Sequence, residues 1–309
     1  MVWSAELRAA GERHFSGRTV TIDTPRFSVV IPAFNEADYL PATLRSLQAQ
    51  DFSGGFEVIV VDNGSTDGTA DLARRLGARV VEERTPGVCA ARQRGTLAVR
   101  GEIVVSTDAD TVHPREWLSR LDVRFAAEPA VVAVAGPCRY ADPPWWAAVV
   151  PPLWFAALAA LHDRLGHVGY ITATNVAFRR VGFPGYDVRL TQGGDEADLL
   201  RRLRRWGRVV WDADNAVTTS SRRMEQGLAH TLVVSYGFYY ASSLALNRRF
   251  ARMLVGRAPA IRQAEGSQVR RVRRRWRLAL LTGTALAVSV RARRRSSAPR
   301  SAGGTRADG

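Results

Sequence analysis

The chain contains no lysine: all 44 of its basic residues are arginine. A loop that grips a triphosphate with lysine is therefore excluded. Cysteine is scarce too. Cys89 and Cys138 are the only two, and their spacing fits neither a metal cluster nor a disulfide framework. The opening MVWSAELRAAGERHF lacks the basic-then-apolar pattern of a secretion signal, so the body is expected to be cytoplasmic. Long apolar runs are few. Leu278–Val290 offers 13 apolar or small residues, short of the roughly 20 that a bilayer-spanning helix needs. Trp145–Leu161 is free of charge, but Pro151-Pro152 interrupts it and disfavours a single spanning helix. Leu228–Asn247 is long enough but carries Tyr, Ser, Thr and His, the composition of a buried or interfacial helix.

Acidic residues are lacking in one place above all. Residues 248–309 hold 17 arginines against Glu265 and Asp308, so the whole formal surplus of +15 lies there and the body is neutral. Such a tail calls for an anionic partner, either nucleic acid or the cytoplasmic face of a membrane. Its arginine runs, RRVRRRWR and RARRR, flank the short apolar segment. That pattern suits an interfacial helix on anionic lipid. The expectation is an Arg-rich C-terminus attached peripherally to the inner face of the cell membrane, with no nucleic acid bound. An all-arginine, alanine-rich composition also reflects a GC-rich coding habit.

The body is long enough, at 46% hydrophobic residues, to build a sizeable core. FSVVIPAF, FEVIVVDNG, ARVVEE and EIVVSTDAD read as strands. Between them, NEADYLPATLRSLQAQ, TDGTADLARRLGA and VCAARQRGTLAVR read as helices. Val- and Ile-rich strands alternating with helices predict βαβ units and a mostly parallel sheet covered on both faces. Further on, GYITATNVAFRR reads as a strand or turn entering a helix, and GGDEADLLRRLRRWGRVVWD as an acidic turn, an amphipathic helix and a strand. The expected organisation is an extension over 1–26 and an α/β domain over 27–225, its halves 27–112 (nucleotide) and 113–225 (acceptor). A helical, interfacial region over 226–295 and a disordered tail over 296–309 complete it.

Ligands in open α/β sheets sit beyond the carboxyl ends of the strands. Here those ends carry Pro32 to Glu36, Asp62 to Asp67, and Asp108 to Asp110. Asp108 and Asp110 lie one residue apart after an apolar strand, so a short turn can aim both carboxylates at one point. Two hard oxygen ligands suit Mg²⁺ or Mn²⁺, which leave their other positions to water and substrate phosphates. Alternatively the acids cap the helix expected near Pro114. Asn35 and Glu36 can likewise serve as helix caps, and Asp62 as a turn former.

Five stretches taken in order, VVIPAFNEADYL, VIVVDNGSTDGT, GVCAARQRG, STDAD and GGDEADLLRRLRRWG, resemble the family 2 glycosyltransferases of the GT-A fold. The resemblance implies an inverting, metal-dependent enzyme. It would move a sugar from a nucleoside diphosphate-sugar to a lipid-linked, polysaccharide or other cell-envelope acceptor. It assigns the metal to Asp110 with Asp108 nearby. The nucleotide-sugar falls to Pro32, Ala33, Asn35, Glu36, Asp62, Gly64, Arg92, Asp108 and Ala109. The family's base lies in an acidic pair, usually Glu-Asp, ahead of a helix with an Arg-Leu pair. Counting back from Arg202-Leu203 reaches Asp195-Glu196, an inversion that makes Glu196 the first candidate, Asp195 the second and Asp198 the third. Asn175 and Asp198 are candidate acceptor or sugar contacts, and Arg222 and Arg223 candidate diphosphate clamps. His230 is a further candidate metal ligand, with a structural role as its alternative.

Three other readings compete. A sugar nucleotidyltransferase would resemble its relatives in a Gly-rich, lysine-bearing N-terminal loop, where this chain has PAFNEADYL. A nucleic-acid binder would draw affinity from phosphate contacts of the arginine tail, yet the neutral body holds no recognisable nucleic-acid module. A scaffold with a dead site is opposed by the intact Asp62, Asp108 and Asp110.

Overall fold

A computed structural model describes residues 24–166, 168–190, 194–231 and 233. All of them lie in the first of two units, which ends at Pro259. The N-terminal extension up to residue 23, most of the predicted 226–295 region and the arginine tail fall outside the described residues.

The strands of the first half form where the sequence places them: β1 (Phe27–Ala33), β2 (Phe56–Asp62), β3 (Arg79–Glu82) and β4 (Ile103–Ser106). With β6 (Val131–Ala135), β8 (Val176–Arg179) and β9 (Arg208–Trp211), they build a seven-stranded sheet of order β3-β2-β1-β4-β8-β6-β9. Every pairing in it is parallel except those of β8, which runs antiparallel to both β4 and β6.

The period-2 alternation of the strands divides the core between two faces. Phe27, Val29, Ile31, Val58, Val60, Ile103 and Val105 point one way. There they meet α1 (Leu40–Gln48), α2 (Thr69–Arg75) and α4 (Trp117–Ala127) through Leu44, Ala73 and Trp117. Val30, Ile59, Val61 and Val104 point the other way, toward α3 (Val88–Ala98) and α6 (Gly194–Trp206) through Ala91, Leu199 and Leu203. Within α3, Gly95 permits close approach: a Cβ there would lie 2.3 Å from Val30 Cγ1 and 2.8 Å from Val61 Cγ2.

The rest departs from expectation in four places. NEADYLPATLRSLQAQ turns helical only at Leu40, because Asn35 adopts φ 54° and its amide oxygen accepts from Thr66 N–H. Val176–Arg179 enters no helix but becomes β8, ended by Gly182 at φ +85°. A second sheet, of order β5-β10-β7 from β5 (Thr111–Val112), β7 (Cys138–Ala141) and β10 (Val217–Ser220), had no local signal. And Pro151-Pro152 do not break the apolar run: α5 (Trp145–Leu165) is one 21-residue helix. Proline removes a donor and crowds the preceding turn, but a helix with little packed around it can absorb the distortion. Of the predicted Leu228–Asn247 helix, only Leu228–His230, here α7, is a described α-helical segment.

Candidate active site

The strand order puts β2, β1 and β4 side by side, so their carboxyl ends open into one crevice. The chain's direction across the sheet reverses between β1 and β4, the topological switch point where such sheets take ligands. On its β2 side, Ala33 pairs in register with Asp62, and Asn63 N–H donates to the Ala33 carbonyl at 2.8 Å. Pro32 and Ala33 thus belong to the sheet itself. Asp62 is buried and accepts from Ser65 N–H at 3.3 Å, and Asn35 N–H donates to Ser65 Oγ at 3.0 Å. Gly64, at φ +86°, leaves open space where a side chain would stand.

The turn that carries the two carboxylates is stapled from α1. Thr43 Oγ1 donates to the Ala109 carbonyl at 2.8 Å and accepts from Thr111 N–H at 3.1 Å. One turn along, Ser46 Oγ and Thr107 Oγ1 bracket the His113 ring at 3.0 and 2.9 Å, and the ring packs on Trp117. Burial alone pushes the His113 imidazole down to about 3, so it is neutral.

Each carboxylate has an arginine. Arg92, buried on α3, donates to Asp108 at 2.8 Å and also to Asp195 at the start of α6. Thr174 Oγ1 donates to the other oxygen of Asp108 at 2.7 Å. Burial opposes ionisation of Asp108, but the Arg92 charge and the Thr174 hydroxyl outweigh it and hold its pKa below the ordinary carboxylate value. Asp110 is buried, pairs with Arg222 at 2.9 Å and accepts from Thr219 Oγ1 at 3.3 Å. Its pKa is raised, by burial and the neighbouring Asp108 charge, against the pull of Arg222.

Glu196 is the acid set apart. It accepts from Tyr170 O–H at 2.8 Å and Ala173 N–H at 2.9 Å. Burial, and then the charge of Asp195, push it up to about 7. A carboxylate poised there can take a proton near neutral pH. Asp195, in contact with Arg92, is tied to the Asp108 side.

Several candidates stand elsewhere than expected. Glu36 forms a bidentate, buried pair with Arg222 at 2.7 and 2.9 Å. Arg222 is held by Glu36 and Asp110, over the Tyr39 ring at 4.5 Å. Arg223 is exposed, and its charge reaches both Asp108 and Asp110. Asn175 commits its amide internally, accepting from Trp117 Nε1 and donating to the carbonyls of Pro137 and Asn215. Asp198 pairs with Arg201 and Arg202 of its own helix. Among the described residues no three His, Cys, Asp or Glu side chains form a metal-holding group, so His230 does not join the Asp108–Asp110 pair. Cys89 and Cys138 are free, buried thiols, Cys138 pushed up to about 12 chiefly by burial. Thr43, Ser46, His113, Tyr170, Thr174 and Thr219 are the supporting groups that sequence reading missed. Apart from the Thr107–His113 contact, their partners are distant in the chain, and no local pattern marks them.

Comparison with known proteins places the fold in a family. The model of Glycosyl transferase family 2 matches residues 28–184, just over half of the chain. An uncharacterized glycosyltransferase of Mycobacterium tuberculosis is 46% identical over 83 residues, 27% of this chain and 36% of its own length. An undecaprenyl-phosphate 4-deoxy-4-formamido-L-arabinose transferase of Pseudomonas aeruginosa is 40% identical over 108 residues, 32% of each chain. The chain thus matches about a third of the length of these curated relatives. Among solved structures, the mannosyltransferase PcManGT from Pyrobaculum calidifontis, in complex with GDP-Man and Mn²⁺, superposes with a TM-score of 0.50. It is 25% identical, over 70% of this chain and 61% of that one. With its mostly parallel sheet, helices on both faces and crevice at the switch point, the chain has the GT-A fold and belongs to glycosyl transferase family 2.

Proposed function

We propose that the chain is a metal-dependent, inverting glycosyltransferase that takes a sugar from a nucleoside diphosphate-sugar and places it on a lipid-linked or other cell-envelope acceptor. The observation that carries this reading is the pairing of Asp108 and Asp110 at the switch point with a separate carboxylate, Glu196, whose pKa is raised to about 7.

In this reading the nucleotide lies along the ends of β1 and β2, against Asp62 and the open space at Gly64. The donor set fits a hard divalent cation shared with a diphosphate: two carboxylates one residue apart, one buried and one partly open. Asp110 and Asp108 would hold Mn²⁺ or Mg²⁺, which when bound supplies Lewis-acid stabilisation of the leaving diphosphate. Arg223 is the exposed cation that can add to that charge, and Arg92 holds Asp108 in place. On the acceptor side, Glu196 takes the proton of the attacking hydroxyl. The hydroxyl oxygen then bonds to the anomeric carbon, while the bond to the β-phosphate breaks and its electron pair leaves with the nucleoside diphosphate. Tyr170 and the Ala173 N–H hold that carboxylate in position.

A lipid-linked acceptor is supported by the P. aeruginosa relative, whose name specifies undecaprenyl phosphate, and by the arginine tail of this sequence, suited to the anionic inner face of a cell membrane. The test is a thermal-shift panel of UDP, GDP, TDP and CDP, each with and without Mn²⁺. A ligand that binds only the folded state raises its stability, so one nucleotide stabilising only with metal is the expected result. No shift from any of the four, in folded protein, would overturn the reading.

A further inference from the structure

The helix α5 is the least protein-like surface of the body. Trp145–Leu161 contains no charged residue, and only 17% of its most apolar 18-residue window is buried. One side is fastened down: Trp146 and Ala147 pack with Met224, Leu158 is buried, and Phe155 stacks on Trp211 at 5.9 Å. The opposite side turns Val149, Val150, Leu153, Trp154 and Leu161 outward, with Leu153 65% and Trp154 54% exposed. Isolated exposed apolar residues need no explanation, but a contiguous face along a whole helix marks an interaction surface.

The neighbourhood identifies the partner. Gly169 lies against Leu158 and Leu161 of α5, and the same glycine lines a cleft of about 360 Å³ with Arg201, Arg204 and Arg205 of α6. Arg204 and Arg205 are exposed, as is Arg164 at the end of α5, while the acids of α5 amount to Asp163 alone. An apolar helix bordered by arginines, with tryptophan at its start and middle, has the chemistry of an anionic bilayer surface. One side of the helix is packed on the folded body through Trp146, Ala147 and Leu158, an arrangement open to a helix lying in the membrane surface and not to one crossing it alone.

We propose that α5 lies in the surface of an anionic membrane, with Leu153 and Trp154 in the acyl boundary and the arginines of α6 among the headgroup phosphates. This deepens the peripheral attachment proposed above by assigning it a contact on the folded body, separate from the arginine tail. The arrangement brings the α6 helix, which carries Glu196 at its start, to the membrane side where a lipid-linked acceptor would arrive.

The test uses the full chain and vesicles of phosphatidylcholine and phosphatidylglycerol in equal parts, with brominated acyl chains that quench tryptophan fluorescence. Quenching of the parent protein should fall in W154F, and vesicle affinity of L153E/W154E should drop about tenfold or more, the loss expected for one buried leucine. Nucleotide thermal shifts of both variants should match the parent, so failure here is distinguishable from failure of the transferase reading. Three results would overturn the proposal. The first is parent protein that ignores the vesicles. The second is quenching and affinity unchanged in both variants, leaving the tail as the sole contact. The third is L153E/W154E that loses stability or dissociates a dimer in lipid-free solution, which would assign the face to this chain or to a second copy.

Discussion

At the scale of single residues, the site is a set of buried charges kept in separate roles by their neighbours. Glu196→Gln keeps the shape and removes the proposed base. Transfer should fall about 10²–10⁴-fold while metal-dependent nucleotide stabilisation persists. Full transfer activity in that variant would unseat Glu196. The same carboxylate sets the pH response. It is raised to about 7, so the base form accumulates as pH rises, and kcat/KM should climb with an inflection near 7 that the Gln variant lacks. Its effect on stability has the opposite sign: the folded state holds a proton that the unfolded chain releases near its ordinary value, so this stabilisation fades as pH rises toward 7. Asp110→Ala should abolish the metal-dependent part of the nucleotide shift. Arg222→Met should destabilise the fold by about 3–5 kcal/mol, because it removes the cation that pairs with the buried Glu36 and Asp110 carboxylates. Chemical denaturation of that variant measures the cost. Asp62, Asp108 and Asp110 were legible in the sequence because a polar cluster after an apolar run is a local pattern. The Glu36–Arg222 pair was not, since its partners lie 186 residues apart.

At the scale of elements, the regular first half was legible and the second half much less so. β1 to β4 alternate with helices at ordinary spacing, and both faces of each strand are apolar. β6 and β8 carry the same kind of residues, but nothing in VAFR announces an antiparallel strand inserted between two others. Proline was over-read in α5: its breaking power is a local cost, and the helix continues through it. The contact between α3 and the sheet leaves no room for a side chain at Gly95. Gly95→Ala places a methyl within 2.3 Å of Val30 Cγ1 and 2.8 Å of Val61 Cγ2. The helix must move, at about 1–3 kcal/mol. Arg92 rides on that helix, so nucleotide affinity should fall with stability in the same melting series, whereas unchanged melting would show that α3 shifts freely.

For the whole molecule, pH and salt act through different parts. His113 is buried neutral with its pKa lowered to about 3. The unfolded chain takes up its proton first as pH falls, so the stability it contributes is intact above about 6.5 and is lost on the way down to 3. His113→Gln should flatten that acid limb in a pH series of melting temperatures. Salt tests the attachment proposed for the arginine-rich tail. Deleting residues 268–309 should weaken binding to anionic vesicles and reduce its salt dependence, with nucleotide binding unchanged. Vesicle affinity as strong as the parent's, with the same salt slope, would remove the tail from the attachment.

The antiparallel β8 also dictates an order of assembly. β4 borders β1 on one side and β8 on the other, yet β8 follows it only after β5, α4, β6, β7 and α5. As the chain leaves the ribosome, β1 to β4 can pair at once, while the free margin of β4, Ile-Val-Val-Ser, all four buried in the finished fold, waits for residues 176–179. Until then it is an open template for any other strand. A nascent chain halted in α5 would therefore aggregate through β4, and a few residues more, enough to deliver Val176–Arg179, would close the margin and restore solubility.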